Sequence, residues 1–123
     1  MKRGEIWLIN LDPTIGAEIS KKRPALIINE DGVGKLPLRV VAPITNWKPH
    51  YRIVPWMVHL PSNDTTHLDK ESSADCFQAR SISEKRMIQK IGEVTPEQMQ
   101  RAERGLAIVF GLDTQKAYRE GTD

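Results

Sequence analysis

The chain has little cysteine, few aromatic residues and no long apolar run. Among 123 residues there is one cysteine, Cys76. No disulfide can form within the chain, which fits a reducing compartment. No apolar run approaches the ~20 residues that span a bilayer. The apolar stretch behind Met1-Lys2-Arg3-Gly4-Glu5 covers only Ile6 to Ile9, too short for a signal peptide. A cytoplasmic protein with no membrane partner is expected. Charge of one sign is also in short supply. There are 18 Lys and Arg against 16 Asp and Glu, a net +2. That balance permits a nucleic-acid partner but lacks the basic excess of a DNA-coating protein.

Several chemistries lack their residues. His50, His59, His67 and Cys76 are scattered, with no Cys-x-x-Cys or His-x-x-x-His ligand pair. Asp64, Asp69 and Glu71 do not match a calcium loop. No metal site and no cofactor is expected. There is no Gly-x-Ser-x-Gly elbow, no P-loop and no Gly-x-Gly-x-x-Gly. Cys76 has no basic neighbour to activate it, so it reads as a small buried residue.

What is present is 39% apolar and 28% charged residues, the balance of a folded domain. One domain over 1–112, with a polar tail over 113–123, is expected. Strands are expected at Glu5 to Asn10, Ala25 to Asn29 (opened by Pro24), Leu36 to Thr45, Arg52 to Leu60 and Ser73 to Ser81. Each is a short apolar or β-prone run bounded by Gly, Pro, Asn or Asp. Pro55 falls inside the fourth, which implies an edge or a bulge. The period changes at Thr95-Pro96-Glu97-Gln98, a helix start with Thr as N-cap and Pro first. Met99, Ala102, Leu106 and Phe110 follow at helical spacing, widened by Ala107 and Val109, and Gly111 reads as a C-terminal cap. The fold class is mainly β (α+β): a small antiparallel β-barrel with a C-terminal α-helix, closure hiding the strand edges.

Arg23 stands between a polar loop and a strand, preceded by Lys21 and Lys22. Its guanidinium can meet a phosphate with two parallel hydrogen bonds, and the lysines would add attraction to a polyanion. On composition alone the plainer account is favoured, that three charges simply solubilise a loop. Thr45 closes Val41-Ala42-Pro43-Ile44-Thr45, where a hydroxyl either holds a phosphate oxygen or caps a turn. Gln78 and Arg80 alternate on the expected fifth strand and so share a face, either an ordinary solvated side or a groove wall.

Taken in order, these blocks resemble the opening and closing segments of the PemK/MazF toxin family of type II toxin–antitoxin systems. The resemblance runs through Arg3-Gly4-Glu5-Ile6-Trp7, Leu11-Asp12-Pro13-Thr14-Ile15-Gly16-Ala17-Glu18 and Lys22-Arg23-Pro24-Ala25-Leu26-Ile27-Ile28. It continues through Val41 to Thr45, Gln78-Ala79-Arg80-Ser81-Ile82 and Ile91-Gly92-Glu93-Val94, covering roughly residues 2 to 112. It implies an SH3-like barrel and a homodimer. It also implies a metal-independent endoribonuclease that cuts single-stranded mRNA through its 2′-hydroxyl, leaving 2′,3′-cyclic phosphate and 5′-hydroxyl ends. An antitoxin partner, with which the toxin binds DNA, is implied too. The family's catalytic arginine and threonine fall on Arg23 and Thr45. Its RNA-contacting positions fall on Ala17, Glu18, Lys21, Lys22, Gln78 and Arg80. Some relatives carry a histidine at the Ala17 position and an acid at the Phe77 position, and one subgroup has an arginine where this chain has Asp75. The histidine–arginine–aspartate set of that subgroup is therefore absent. Two other functions share such a barrel: a gyrase-poisoning toxin, and an inactive RNA- or partner-binding module. Trp47, Trp56 and Met57 are candidate anchors for an antitoxin peptide, with core packing an equal account of Trp56.

Overall fold

The computed structural model describes residues 1–13, 15–18, 21–33 and 36–112; the expected polar tail lies outside them. Seven strands precede one helix: β1 (Glu5–Asn10), β2 (Lys22–Ile27), β3 (Leu38–Asn46), β4 (Met57–Leu60), β5 (Ser72–Asp75), β6 (Arg80–Ser83), β7 (Met87–Glu93) and α1 (Pro96–Val109). The pairings are antiparallel and run β4-β5-β3-β2-β1-β7, with β6 also on β3.

The core lies on both faces of this sheet. On one face Ile6, Leu26, Ala42, Ile44, Val58 and Ala74 pack with Met99 and Ala102 of α1. On the other, Ile9, Leu11, Ala25, Ile27, Val41 and Ile82 form a smaller cluster. Strands buried on both faces read as continuous apolar runs, as Ala25-Leu26-Ile27-Ile28 does.

α1 begins and ends as expected. The Gln98 N–H donates to Thr95 Oγ1 at 3.1 Å, and Gln98 Oε1 accepts from the Thr95 N–H at 2.8 Å. Gly111 sits at φ +69°. The Gly111 N–H reaches the Ile108 carbonyl at 3.1 Å and the Leu112 N–H reaches that of Ala107 at 2.8 Å, the paired bonds of a glycine-terminated helix. Phe110 does not join the buried stripe. It is the C-cap, its N–H still bonded to the Leu106 carbonyl at 2.9 Å, and it is 68% exposed at the helix end.

Four differences from the sequence reading matter for the site. β2 starts at Lys22, before Pro24, and Pro24 pairs with Leu8 inside it. The expected fourth strand begins only at Met57, because Pro49–Ile53 winds into a 3-10 turn with proline at its start. Pro55 therefore precedes the strand instead of interrupting it. The expected fifth strand divides into β5 and β6 around a 3-10 turn at Cys76–Gln78. Opposite Ala42 and Pro43, the segment joining β5 to β6 inserts residues 75–79 between the Ile44↔Ala74 and Val41↔Arg80 pairs. Lastly, β7 is a strand the sequence pattern does not announce. Its register against β1 shifts at Ile6/Trp7 and again at Leu8/Ile9, and bulges of this kind destroy a period of two.

The expected closure of the sheet into a barrel is not made by strand pairing. Among the described residues no pairing joins β4 to β7. The 61–71 loop covers the free edge of β7 instead, the Glu93 N–H donating to the Thr65 carbonyl at 3.1 Å. Gly92 makes that approach possible, since a Cβ there would lie 2.6 Å from the Thr66 carbonyl carbon and 2.7 Å from the Thr65 oxygen.

Cys76 is buried, with Sγ 3.7 Å from the Ala102 carbonyl. Burial and then the neighbouring Asp75 charge push its thiol up to about 12, so it is not a nucleophile near neutral pH.

Candidate active site

β2 and β3 pair only over Ala25–Ile27 and Val41–Pro43. The next pair would place Pro24 against Ile44. Prolines stand at this point on both strands, and neither has an N–H to give a ladder. From Ile44 onward β3 keeps a partner only on its opposite edge, where β5 follows β6. A groove of about 360 Å³ occupies the wedge where β2 and β3 part company, and Lys21, Lys22, Arg23 and Thr45 all line it. The structure thus brings together the expected arginine, threonine and lysines. It adds Lys70 and a lone carboxylate, Asp69, from the loop before β5. Nothing local in the sequence marks those two, because what carries them to the groove is the pairing of the following strand, β5, with the end of β3.

The loop between β1 and β2 is clamped at its base. The Arg86 guanidinium donates to the carbonyls of Asn10 and Asp12, at 3.0 and 2.7 Å. Asp12 Oδ1 accepts from the Lys21 N–H at 2.8 Å, and the Leu11 N–H donates to the Lys21 carbonyl at 3.1 Å. Lys21 is held at φ 72°, a left-handed conformation that few non-glycine residues adopt. Such strain survives only where its surroundings over-determine it.

Ala17, Glu18, Gln78 and Arg80 line a second concavity, of about 610 Å³, together with Pro43, Phe77 and Ala79. Pro43 stands two residues before Thr45 on β3, so the two hollows follow one another along that strand. Arg80 pairs with Glu18 across this second hollow at 3.6 Å. Gln78 and Arg80 share it as expected, but by a different route: Gln78 closes the 3-10 turn and Arg80 opens β6. Asp75 fixes the turn, accepting from the Phe77 N–H at 3.0 Å and from Gln78 Nε2 at 3.2 Å. An aspartate bonded to the N–H two residues on is a turn signal, so Asp75 was the sequence cue that a strand breaks here. Phe77 is 68% exposed, its ring 5.9 Å from that of Trp56.

Among the described residues no three His, Cys, Asp or Glu side chains converge as a metal site would require, and no helix is long and apolar enough to cross a membrane.

Comparison with known proteins gives this arrangement its context. The family model described as "PemK-like, MazF-like toxin of type II toxin-antitoxin system" matches residues 2–110. A curated relative, endoribonuclease MazF9 of Mycobacterium tuberculosis, is 32% identical over 118 residues, covering 91% of this chain and 98% of that protein. Solved structures share the fold. The Mycobacterium tuberculosis toxin MazF-mt6 superposes with a TM-score of 0.71 at 24% identity, over 89% of this chain and 98% of that one. A mycobacterial endoribonuclease in complex with its cognate antitoxin gives 0.72 at 19%, over 92% and 97%. MazF from Deinococcus radiodurans gives 0.73 at 23%, over 91% and 97%. The sheet, the capped C-terminal helix and the arginine–threonine wedge all lie within the matched span, and the chain belongs to the PemK-like, MazF-like toxins of type II toxin–antitoxin systems.

Proposed function

We propose that this toxin is an endoribonuclease that cuts single-stranded RNA in the wedge between β2 and β3, with Arg23 and Thr45 as its catalytic residues. The observation that carries the reading is the convergence of Arg23, Thr45, Lys21 and Lys22 on one groove. An arginine stays protonated and makes a poor base. Its role is to stabilise the charge that gathers on the phosphate oxygens as the transition state forms. Thr45 holds a non-bridging oxygen. The lysines attract the backbone without regard to sequence. The RNA supplies the nucleophile: its 2′-oxygen bonds to phosphorus, the bond to the 5′-oxygen breaks, and the products end in a 2′,3′-cyclic phosphate and a 5′-hydroxyl. Ala17, Glu18, Gln78 and Arg80 extend the RNA path along β3. Cutting messages in this way would arrest translation and growth.

Incubating the protein with a long single-stranded RNA in EDTA and mapping the ends tests this chemistry. Cleavage is expected to persist, with cyclic phosphate and 5′-hydroxyl termini. An RNA carrying hydrogen in place of the 2′-hydroxyl at the scissile position should remain intact. Activity that vanishes in EDTA and returns with magnesium would refute the scheme, as would cutting of the deoxy-substituted RNA.

The active form is a homodimer whose two-fold groove takes the RNA, and the cognate antitoxin competes for it. An acidic antitoxin segment would meet the groove's cations, so its association should slow as salt rises. Light scattering should give twice the monomer mass, and antitoxin should abolish RNA binding. A monomer that cuts at full rate sinks the dimer model, and a ternary complex holding RNA as tightly as free toxin sinks competition.

A further inference from the structure

Thr45, Ser73 and His59 form one cross-strand row. Thr45 on β3 lies opposite Ser73 on β5, and His59 on β4 lies opposite Ser73 from the other side. Directly opposed residues share a face of the sheet. That face is the reverse of the one holding Ile44, Ala74 and Val58, whose row packs toward α1. One step further along, the Trp47 N–H donates to the Glu71 carbonyl at 3.0 Å. The ladder therefore continues to Trp47, which returns to the Thr45 face by alternation.

The rings of Trp47 and His59 are 4.7 Å apart, centre to centre. Their strands flank β5 and so lie roughly 10 Å apart. The two side chains must lean toward each other over β5, and Ser73 lies beneath them. This roof accounts for a serine on the outer face being 0% exposed. Its hydroxyl has no hydrogen-bond partner, the one buried side-chain polar atom of this kind among the described residues. A buried hydroxyl left unpaired is costly and calls for an explanation.

The roof is polarised. Glu71 Oε2 is 2.5 Å from His59 Nε2, and Glu71 Oε1 accepts from the Ser62 N–H at 3.1 Å. The Ser62 N–H, and after it His59, hold the Glu71 carboxyl below its ordinary range. An anionic Glu71 takes the Nε2 proton of His59 as a hydrogen bond, which leaves Nδ1 as the nitrogen free of that contact. Tyr51 meets Trp47 edge-on at 5.9 Å and steadies the indole.

We infer that Trp47, Ser73 and His59 form a nucleobase subsite beside the scissile phosphate. A base of the RNA parts the Trp47–His59 roof, stacks on the indole, and satisfies the Ser73 hydroxyl with its edge. The inference rests on the endoribonuclease reading and adds to it a determinant of where the cut falls. An unstacked base on an aromatic face, read along its edge, is how proteins select sequence in single-stranded RNA.

The test compares full-length wild type, Trp47→Ala, Trp47→Phe and Ser73→Ala on a single-stranded RNA pool of random sequence, with the ends sequenced and melting curves recorded. Losing one stacking contact predicts a fall in kcat/KM of about 10- to 100-fold at preferred sites for Trp47→Ala. Base preference at one position next to the cut should flatten with it. Trp47→Phe keeps a π-face and should retain the preference. Ser73→Ala should relax selectivity at the same position by about fivefold to tenfold, the value of one hydrogen bond, without lowering the melting temperature. If Trp47→Ala fails to fold, Ser73→Ala and Trp47→Phe still decide. A Ser73→Ala protein with wild-type preference and rate overturns the subsite. So does a Trp47→Ala protein altered only in antitoxin affinity, which would give this surface to a protein partner. Wild type that cuts no RNA would instead refute the endoribonuclease reading itself.

Discussion

Arg23→Ala is expected to lower RNA cleavage by about 10²–10³-fold or more, the usual cost of removing one preorganised donor from a developing oxyanion. The fold should survive, because the backbone of Arg23 stays paired with Ile9 in the β1–β2 ladder and its side chain is half-buried at the groove edge instead of in either apolar cluster. Arg23→Lys keeps the charge but loses the planar fork that meets two phosphate oxygens together, so it should recover only part of the rate. Thr45→Ala removes a neutral hydroxyl and should cost less than Arg23→Ala. The measurement is single-turnover cleavage of a fixed RNA, beside a melting curve for each variant. A folded Arg23→Ala protein that cuts at the wild-type rate would put the chemistry elsewhere in the groove.

Gly92→Ala is expected to be the most damaging small substitution outside the groove. The new Cβ would meet the backbone carbonyls of Thr65 and Thr66, and backbone cannot swing aside as a side chain does. Either the 61–71 loop lifts from β7 and the Glu93–Thr65 hydrogen bond breaks, or β7 shifts against β1. Overpacking of this sort costs roughly 1–3 kcal/mol, a fall of several degrees in melting temperature for a domain of this size. Because the same loop delivers Asp69 and Lys70 to the groove, cleavage should fall with it. Gly16→Ala is the contrasting control for space. Among the described residues, its chain neighbours aside, no atom lies within 4 Å of a Cβ there, although its φ of +61° still carries backbone strain. A Gly92→Ala protein that melts with the wild type would show that the loop does not depend on this contact.

Much of this could be read from local pattern. The boundaries of β1, the Thr95–Gln98 cap and the glycine stop after α1 are short-range events, set by propensity and by side chains bonding their own backbone. The lack of a basic neighbour to Cys76 was legible too, whereas the burial that chiefly raises its thiol pKa was not. Local pattern left Arg23 and Thr45 open between a phosphate site and an ordinary strand end; the family resemblance singled them out, and that they line one groove is a tertiary fact. The break between β5 and β6 was less legible: its cue, Asp75, is one residue inside a run that otherwise alternates. β7 escaped because its two register shifts scramble the alternation that marks a strand.

By itself the sequence determined which segments are apolar enough to pair, where the helix starts and stops, and which cations stand beside a strand end. Those properties depend on residues within a few positions of one another, so a linear reading reaches them. Tertiary structure alone decided that β3 loses its β2 partner beyond Pro43 and so opens the wedge. It also decided that the 61–71 loop, rather than a strand, covers β7, and that Trp47 and His59 close over Ser73. Each of these depends on contacts between residues far apart in the chain, and a long-range contact leaves no periodic trace in the residues that make it.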